Sequence, residues 1–311
     1  MKFLGINVKS RFFLAPMAGV TNLPFRLLCK KHGAGLVFTE QVSARQVLVC
    51  ERKEIEAMKT CREEKPCAVQ LFGSQAEEFA KAAKLCRDFE IININCGCPQ
   101  HDVTRAGAGA ALLKEPEKIA EIIRAVKAEV KKPVTVKIRL GWEKDDSLEI
   151  AKAVEKAGAD ALIIHGRTAE QRYKGKADWK AIGRVVKGVS IPVVANGGII
   201  SAGSAEECLK VSGAEFGMVG TAALSNPFIF REIEEHFKGW EWQASDEEKL
   251  GLFKEYRKLC GKQGIVSLAD LRQKAIFFTK GIRGSRKMRE RLSGAKNFEE
   301  IDNAVSFCMH K

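Results

Sequence analysis

The chain has 311 residues, 45% hydrophobic, 29% charged and 7% aromatic, a composition that excludes collagen-like, disordered and membrane-embedded classes. The length suits one large domain of about 200–250 residues followed by a small one. Lys and Arg outnumber Asp and Glu by 52 to 39, a formal charge of +13, which points to a polyanionic partner such as nucleic acid, with an acidic membrane surface as the alternative.

No run reaches the roughly 18 apolar residues of a membrane span, and the opening MKFLGINVKSRFF lacks the long apolar core of a secretion signal. A cytoplasmic protein without membrane attachment is expected, and nothing in the sequence requires an obligate protein partner. Ten cysteines with no CxxC spacing read as mostly buried, reduced thiols.

Eight short apolar runs, bounded by Gly, Pro or charge, read as buried strands. They span residues 11–17 (RFFLAPM), 35–40 (GLVFTE), 67–73 (CAVQLFG), 91–96 (IININC), 134–140 (VTVKIRL), 161–166 (ALIIHG), 191–198 (IPVVANGG) and 216–221 (FGMVGT). Amphipathic helices are expected between them, among them Pro116–Glu129 and Ser147–Lys156, the latter with Leu148, Ile150, Ala151 and Val154 on one face. Eight alternating strand–helix units within about 230 residues match a closed (β/α)8 TIM barrel over residues 1–238. An open doubly wound sheet would want G-x-G-x-x-G after its first strand, where this chain has Pro16–Met17–Ala18–Gly19. Beyond Lys238 the strand pattern stops. The segment GWEWQASDEEK reads as a linker, with Ser245 or Asp246 capping the first helix of a small helical domain over residues 245–311. Nine Lys/Arg and one acid fall between Arg272 and Lys296, so this domain carries much of the excess charge.

In a (β/α)8 barrel the chemistry collects at the C-terminal strand ends, which here carry Met17, Glu40, Gln70, Asn95, Lys137, Arg139, His165, Asn196 and Gly220. A lysine inside VTVKIRL is costly unless an anionic or electron-rich group meets it. Lys137 is therefore either half of a buried ion pair, with Glu40 as the candidate partner, or a functional cation. His165 alone could be a satisfied core histidine; its company on one rim favours a site. The turns Asn196–Gly197–Gly198 and Gly220–Thr221 follow the last two strands, where barrels commonly hold a phosphate. Cys98, in the loop Asn95–Cys96–Gly97–Cys98–Pro99, is expected to be exposed and reactive. A metal site is disfavoured because no second cysteine pair has zinc-like spacing. The run GAGAA over residues 107–111 would allow close approach of its loop to a ligand.

The ordered motifs APMAGVTNLPFR (15–26), TE (39–40), QLFG (70–73), NINCGCP (93–99), VKIRLGW (136–142), HGRTAEQRYKGKADW (165–179) and VVANGGI (193–199) closely resemble the tRNA-dihydrouridine synthases. The stretch 271–292, LRQKAIFFTKGIRGSRKMRERL, looks like that family's helical tRNA-binding domain. The resemblance implies FMN as bound cofactor, NADPH as reductant and a D-loop uridine of tRNA as substrate. It makes Cys98 the proton donor and Asn95 a holder of the uracil. Pro16, Met17, Ala18 and Gln70 would line the isoalloxazine, with Lys137 at its N1/O2 edge and His165 nearby. Asn196, Gly197, Gly198, Gly220 and Thr221 would hold the phosphate end. Arg139 and Arg167 would contact the target nucleotide, which must be flipped out to reach the flavin. Arg272, Lys274, Arg283 and Arg286 would contact tRNA phosphates. Two departures stand out. Thr221 replaces the family's usual Arg after Gly220, and Asn22 replaces a frequent Asp. The rival readings are an FMN barrel enzyme acting on a free pyrimidine or dihydroorotate, and a catalytically silent tRNA-binding relative.

Overall fold

The computed structural model describes residues 1–282 and 285–306; Arg283 lies outside them. Eight parallel strands, β1 (Phe12–Leu14), β2 (Val37–Ser43), β3 (Cys67–Phe72), β4 (Ile91–Cys96), β5 (Val134–Arg139), β6 (Ala161–His165), β7 (Val193–Asn196) and β8 (Phe216–Val219), run in sequence order, with β1 paired to β8. The ring closes between β1 and β2 through Leu14 N–H to Leu36 O and Gly35 N–H to Phe12 O. Gly35 is required there, because a Cβ would fall 2.0 Å from the Ser10 carbonyl oxygen. The two expected helices have the bounds Pro116–Glu129 and Ser147–Lys156.

The period-2 alternation of the strands separates two cores. Val69, Leu71, Ile92, Ile94, Val136, Ile138, Leu162 and Ile164 point outward into the helical layer. Inside, Phe13, Phe38, Ala68, Ile91, Ala161, Ile163, Val194, Phe216 and Met218 fill the barrel. An N-terminal hairpin, Lys2–Phe3 with Ile6–Asn7, closes the bottom, and its Phe3 packs edge-on against Phe13 and Phe216 at 5.0 Å each. The hairpin is absent from the strands read in the sequence because its two-residue strands, KF and IN, are too short to form an apolar run. Going up four of the strands, the interior positions change from apolar or small to polar: Ala68 to Gln70, Ile91 to Asn93 and Asn95, Ile163 to His165, Val194 to Asn196; on β5 the polar Thr135 is already followed by Lys137. The apolar floor and polar mouth are thus encoded by which third of a strand a residue occupies.

After the helix Ile229–Phe237 the chain enters four helices, Asp246–Gln263, Leu268–Phe278, Ser285–Gly294 and Phe298–Ser306. Ser245, not Asp246, caps the first, in a reciprocal box with Glu248. These helices share one apolar core with the barrel's outer layer. Phe25 of the Leu23–Lys31 helix stacks on Phe278. Asn22 caps that helix and its Nδ2 donates to the Tyr256 hydroxyl at 2.8 Å, while the hydroxyl donates to Asp270. Lys274 is fully buried here, 3.1 Å from Asp270 and facing the rings of Phe25 and Tyr256. The expectation that Lys274 contacts tRNA phosphate is therefore corrected: its ammonium serves the junction between barrel and helices.

Removing the Tyr256 hydroxyl should strand Asn22 and Asp270. Tyr256→Phe is expected to lower the unfolding free energy by about 1–3 kcal/mol, read by urea titration. An unchanged midpoint would mean that water replaces the hydroxyl at no cost.

Candidate active site

The barrel mouth opens into a cavity of about 700 Å³, within the range of small-molecule and cofactor sites. Of the residues singled out in the sequence, Pro16, Met17, Ala18, Gln70, Asn95, Cys98, Lys137, Arg139, His165, Arg167, Asn196, Gly197, Gly198, Gly220 and Thr221 all line it. Arg272, Lys274 and Arg286 lie apart from it, in the C-terminal helices.

The centre of the site is an oriented chain of amides. The Asn95 Oδ1 accepts from the backbone N–H groups of Gly97 and Cys98, each at 3.0 Å. Backbone nitrogens only donate, so this contact fixes which end of the amide is oxygen. Asn95 Nδ2 must then donate, and it does so to Gln41 Oε1 at 3.0 Å and Gln70 Oε1 at 2.9 Å. Gln70 Nε2 passes on to Asn93 Oδ1 at 2.6 Å, and Asn93 Nδ2 to the Thr135 hydroxyl at 2.8 Å. Asn95 thereby spends both donors and both acceptor lone pairs on the protein. In this structure the Asn95 amide ties the Cys98 loop to the strands of the barrel mouth.

Two further contacts fix that loop. Arg139 Nε donates to Gly97 O at 2.8 Å, and Ala110 N–H donates to Cys98 O at 2.9 Å. Gly109 approaches so closely that a Cβ would sit 2.7 Å from Cys98 O. The glycine run therefore packs against the cysteine loop instead of reaching the cavity. Cys98 remains partly exposed in the mouth, whereas Cys96 faces the outer core and burial pushes its thiol well up.

Glu40 does not line the cavity. A bulge after Phe38 shifts the register of β2 against β3, so Gln41 points inward and Glu40 instead accepts from Gly19 N–H. Both outcomes differ from the sequence reading, which ended the strand at Glu40 and passed over Gln41. Behind the same turn, the buried Arg26 forks onto Glu64 at 2.7 and 3.1 Å and donates to Thr21 O at 2.8 Å. Residues 16–20 are thus held from outside while Met17 and Ala18 face the cavity.

Lys137 has no carboxylate partner among the described residues. Burial, reinforced by the Arg139 guanidinium, pushes its pKa down to about 7, although Cys98 acts the other way. His165 is kept neutral, its pKa pushed down to about 2 by burial and then by Lys137, Arg139 and Arg167. Its buried Nδ1 lacks a hydrogen-bond partner. Opposite, Gly197 and Gly198 take φ values of +98° and +78°, and a Cβ on Gly197 would lie 2.9 Å from the His165 ring. Trp179 Nε1 pins this turn through Gly197 O, and Asn196 Nδ2 ties it to Met218 O, each at 2.8 Å. An unneutralised ammonium, an orphaned imidazole nitrogen and a backbone turn bare of side chains fit a polar aromatic cofactor with an anionic end.

The other guanidiniums are already engaged. Arg139 Nη1 donates to Thr168 O at 2.9 Å and Arg172 O at 2.7 Å, and Arg167 donates to Gly175 O at 3.2 and 2.8 Å. Arg139 therefore braces the loop after β6 against the cysteine loop. Thr221 is exposed and opens a five-residue helix.

The family model for dihydrouridine synthases matches residues 13–310. tRNA-dihydrouridine synthase B of Pasteurella multocida is 43% identical over 239 residues, covering 75% of this chain and 72% of the relative. A probable tRNA-dihydrouridine synthase of Rhodobacter capsulatus is 45% identical over 227 residues, covering 71% and 69%. Among solved structures, a 2-naphthoyl-CoA reductase complex superposes with a TM-score of 0.62 at 13% identity, covering 77% of this chain and 51% of that one. Histamine dehydrogenase from Rhizobium sp. 4-9 gives 0.55 at 15% identity, covering 83% and 50%; these two share the fold. The chain belongs to the dihydrouridine synthase family.

The Lys137 environment predicts a pH effect on the ligand-free protein. Its pKa is about 7 folded, against 10.5 ordinarily, so between those values the unfolded chain binds a proton that the folded chain does not. Through this group stability rises with pH across that window. Lys137→Met should remove that rise, read as the difference in urea unfolding between wild type and variant at pH 7 and pH 9. A difference independent of pH would mean that a compensating charge meets the ammonium.

Proposed function

We propose that this family member reduces the C5=C6 bond of a D-loop uridine in tRNA to 5,6-dihydrouridine, with FMN in the barrel mouth and NADPH as reductant. The observation that carries the reading is the Cys98 thiol held by an oriented amide chain in the same cavity as an unpaired lysine and a bare glycine turn. When bound, FMN supplies the hydride that it has taken from NADPH. Pro16, Met17, Ala18 and Gln70, which line the cavity, would hold its ring. Lys137 would meet its electron-rich N1/O2 edge, where the ammonium would favour negative charge. The neutral His165, whose Nε2 faces the Arg167 guanidinium at 3.5 Å, would offer its Nδ1–H to an acceptor, and the turns at Asn196–Gly198 and Gly220–Thr221 would receive the phosphate through backbone N–H groups. Cys98 Sγ–H gives the proton to the second carbon of the reduced bond. Asn95 and Arg139 fix the loop that aims it.

The helical domain supplies affinity. Lys280, Arg286, Lys287, Arg291 and Lys296 are exposed, while Arg272 and Arg289 turn back to the carbonyls of Ala295 and Thr279. Phosphate contacts of this kind position RNA without reading its sequence. An enzyme for a free pyrimidine or dihydroorotate has no use for this cationic face, and a silent relative has none for Cys98 and Lys137. Incubation with unmodified tRNA, uracil or orotate separates these readings. Dihydrouridine should form in tRNA, with the free bases untouched; turnover of a free base alone would overturn the proposal.

Cys98→Ala should leave flavin reduction by NADPH intact and slow uridine reduction about 10²–10⁴-fold, with Cys96→Ala mild. Equal single-turnover rates in wild type and Cys98→Ala would remove the thiol from the mechanism. Lys287→Glu should weaken tRNA binding and flatten the dependence of log affinity on log salt by about 0.7–0.9 per lost phosphate contact. A slope unchanged by reversal at both Arg286 and Lys287 would place the tRNA elsewhere.

A further inference from the structure

Tyr173 is a large aromatic side chain on the loop after β6, 69% exposed and yet lining the mouth of the cavity. It belongs to neither apolar core. Its ring meets His165 edge-on at 6.3 Å and lies 5.5 Å from the Arg139 guanidinium. The loop is anchored on both sides of it, by Arg139 to Arg172 O and by Arg167 to Gly175 O. Arg172 is held at φ +50°, a backbone conformation that a long side chain adopts only when its surroundings impose it. Arg172, Lys174 and Lys176 are exposed around the ring, and among the described residues none of them pairs with a carboxylate. A rigidly mounted π face amid unneutralised cations suits single-stranded nucleic acid, where bases stack and phosphates meet cations.

We infer that Tyr173 is a stacking platform for the nucleobase adjacent to the reduced uridine, with Arg172, Lys174 and Lys176 receiving the neighbouring phosphates. The inference rests on the proposed tRNA substrate. The uridine itself must pass deeper, to Cys98, so the exposed ring is placed for its neighbour. Flipping one nucleotide breaks its stacking with the next base, and the tyrosine face compensates that loss at the lip.

The test uses full-length, flavin-loaded enzyme. Tyr173→Ala and Tyr173→Leu should lower kcat/KM for tRNA by roughly 10- to 100-fold, the scale of one lost base stack, while Tyr173→Phe stays within about twofold of wild type. Flavin content and melting temperature check the fold of each variant. A second arm uses tRNA with an abasic nucleotide on either side of the target uridine. At one of the two positions the wild type should lose as much as Tyr173→Ala does, and the variant should lose little more. Equal activity of Tyr173→Ala and wild type, a leucine variant as active as phenylalanine, or additive losses at both abasic positions would overturn the inference. Failure of the wild type to reduce uridine in tRNA would instead overturn the proposed function, and this inference with it.

Discussion

Two backbone N–H groups, at Gly97 and Cys98, determine the orientation of the polar interior of this barrel. Because they donate to Asn95 Oδ1, the direction of each following amide is forced, through Gln70 and Asn93 to the Thr135 hydroxyl. A buried polar group without a partner costs roughly 1–3 kcal/mol, so reversing any one amide would penalise its neighbours as well. Side chains from β2, β3, β4 and β5 thus act as one unit, and that unit ends on the loop that carries Cys98. If Cys98 has its proposed role, a thiol in a mobile loop would need ordering at the moment of reaction; here the ordering is built into the fold.

The same interior explains the charge of the mouth. Lys137, Arg139 and Arg167 lie close enough to His165 that each depresses it, and among the described residues no carboxylate enters the cavity lining except that of Asp102 at its rim, in an exposed position. The bulge in β2 is what keeps the Glu40 carboxylate out. Had the strand continued without the extra residue, Glu40 would have taken the inward position opposite Gln70, neutralised Lys137 and weakened the site for an anionic ligand. A cavity that tolerates a neutral histidine beside an unpaired ammonium is organised around a charge that arrives with the ligand.

Much of this was legible in the residues. Eight short, near-continuous apolar runs, separated by amphipathic stretches, specify a parallel barrel, and strand-end polarity specifies where its site lies. The parts that escaped notice depend on geometry that a linear pattern does not carry. A single inserted residue exchanged Glu40 for Gln41. Asn93 and Thr135 read as ordinary strand residues because their polarity is satisfied by each other. Lys274 sits in a basic stretch that looks uniformly solvated, yet its position on the Leu268–Phe278 helix turns it against Phe25 and Tyr256. The role of Asn22 becomes intelligible only when Tyr256 of the Asp246–Gln263 helix is seen beside it.

That last contact bears on how the two parts of the chain cooperate. Asn22 ends the turn whose Met17 and Ala18 face the cavity, and Tyr256, Asp270 and Lys274 lie on the first two helices of the cationic domain. The Tyr256 hydroxyl is at once acceptor from Asn22 and donor to Asp270, which suits an amide at position 22. A carboxylate there would set two anions around one hydroxyl proton. The substitution that looked like a departure from the family pattern is therefore matched to Asp270. A junction made of stacked aromatics and saturated hydrogen bonds resists bending more than a flexible tether would. Under the proposed function, cationic helices fixed to the mouth in this way would select a uridine by its distance and direction from the bound backbone, because phosphate contacts carry no base identity of their own.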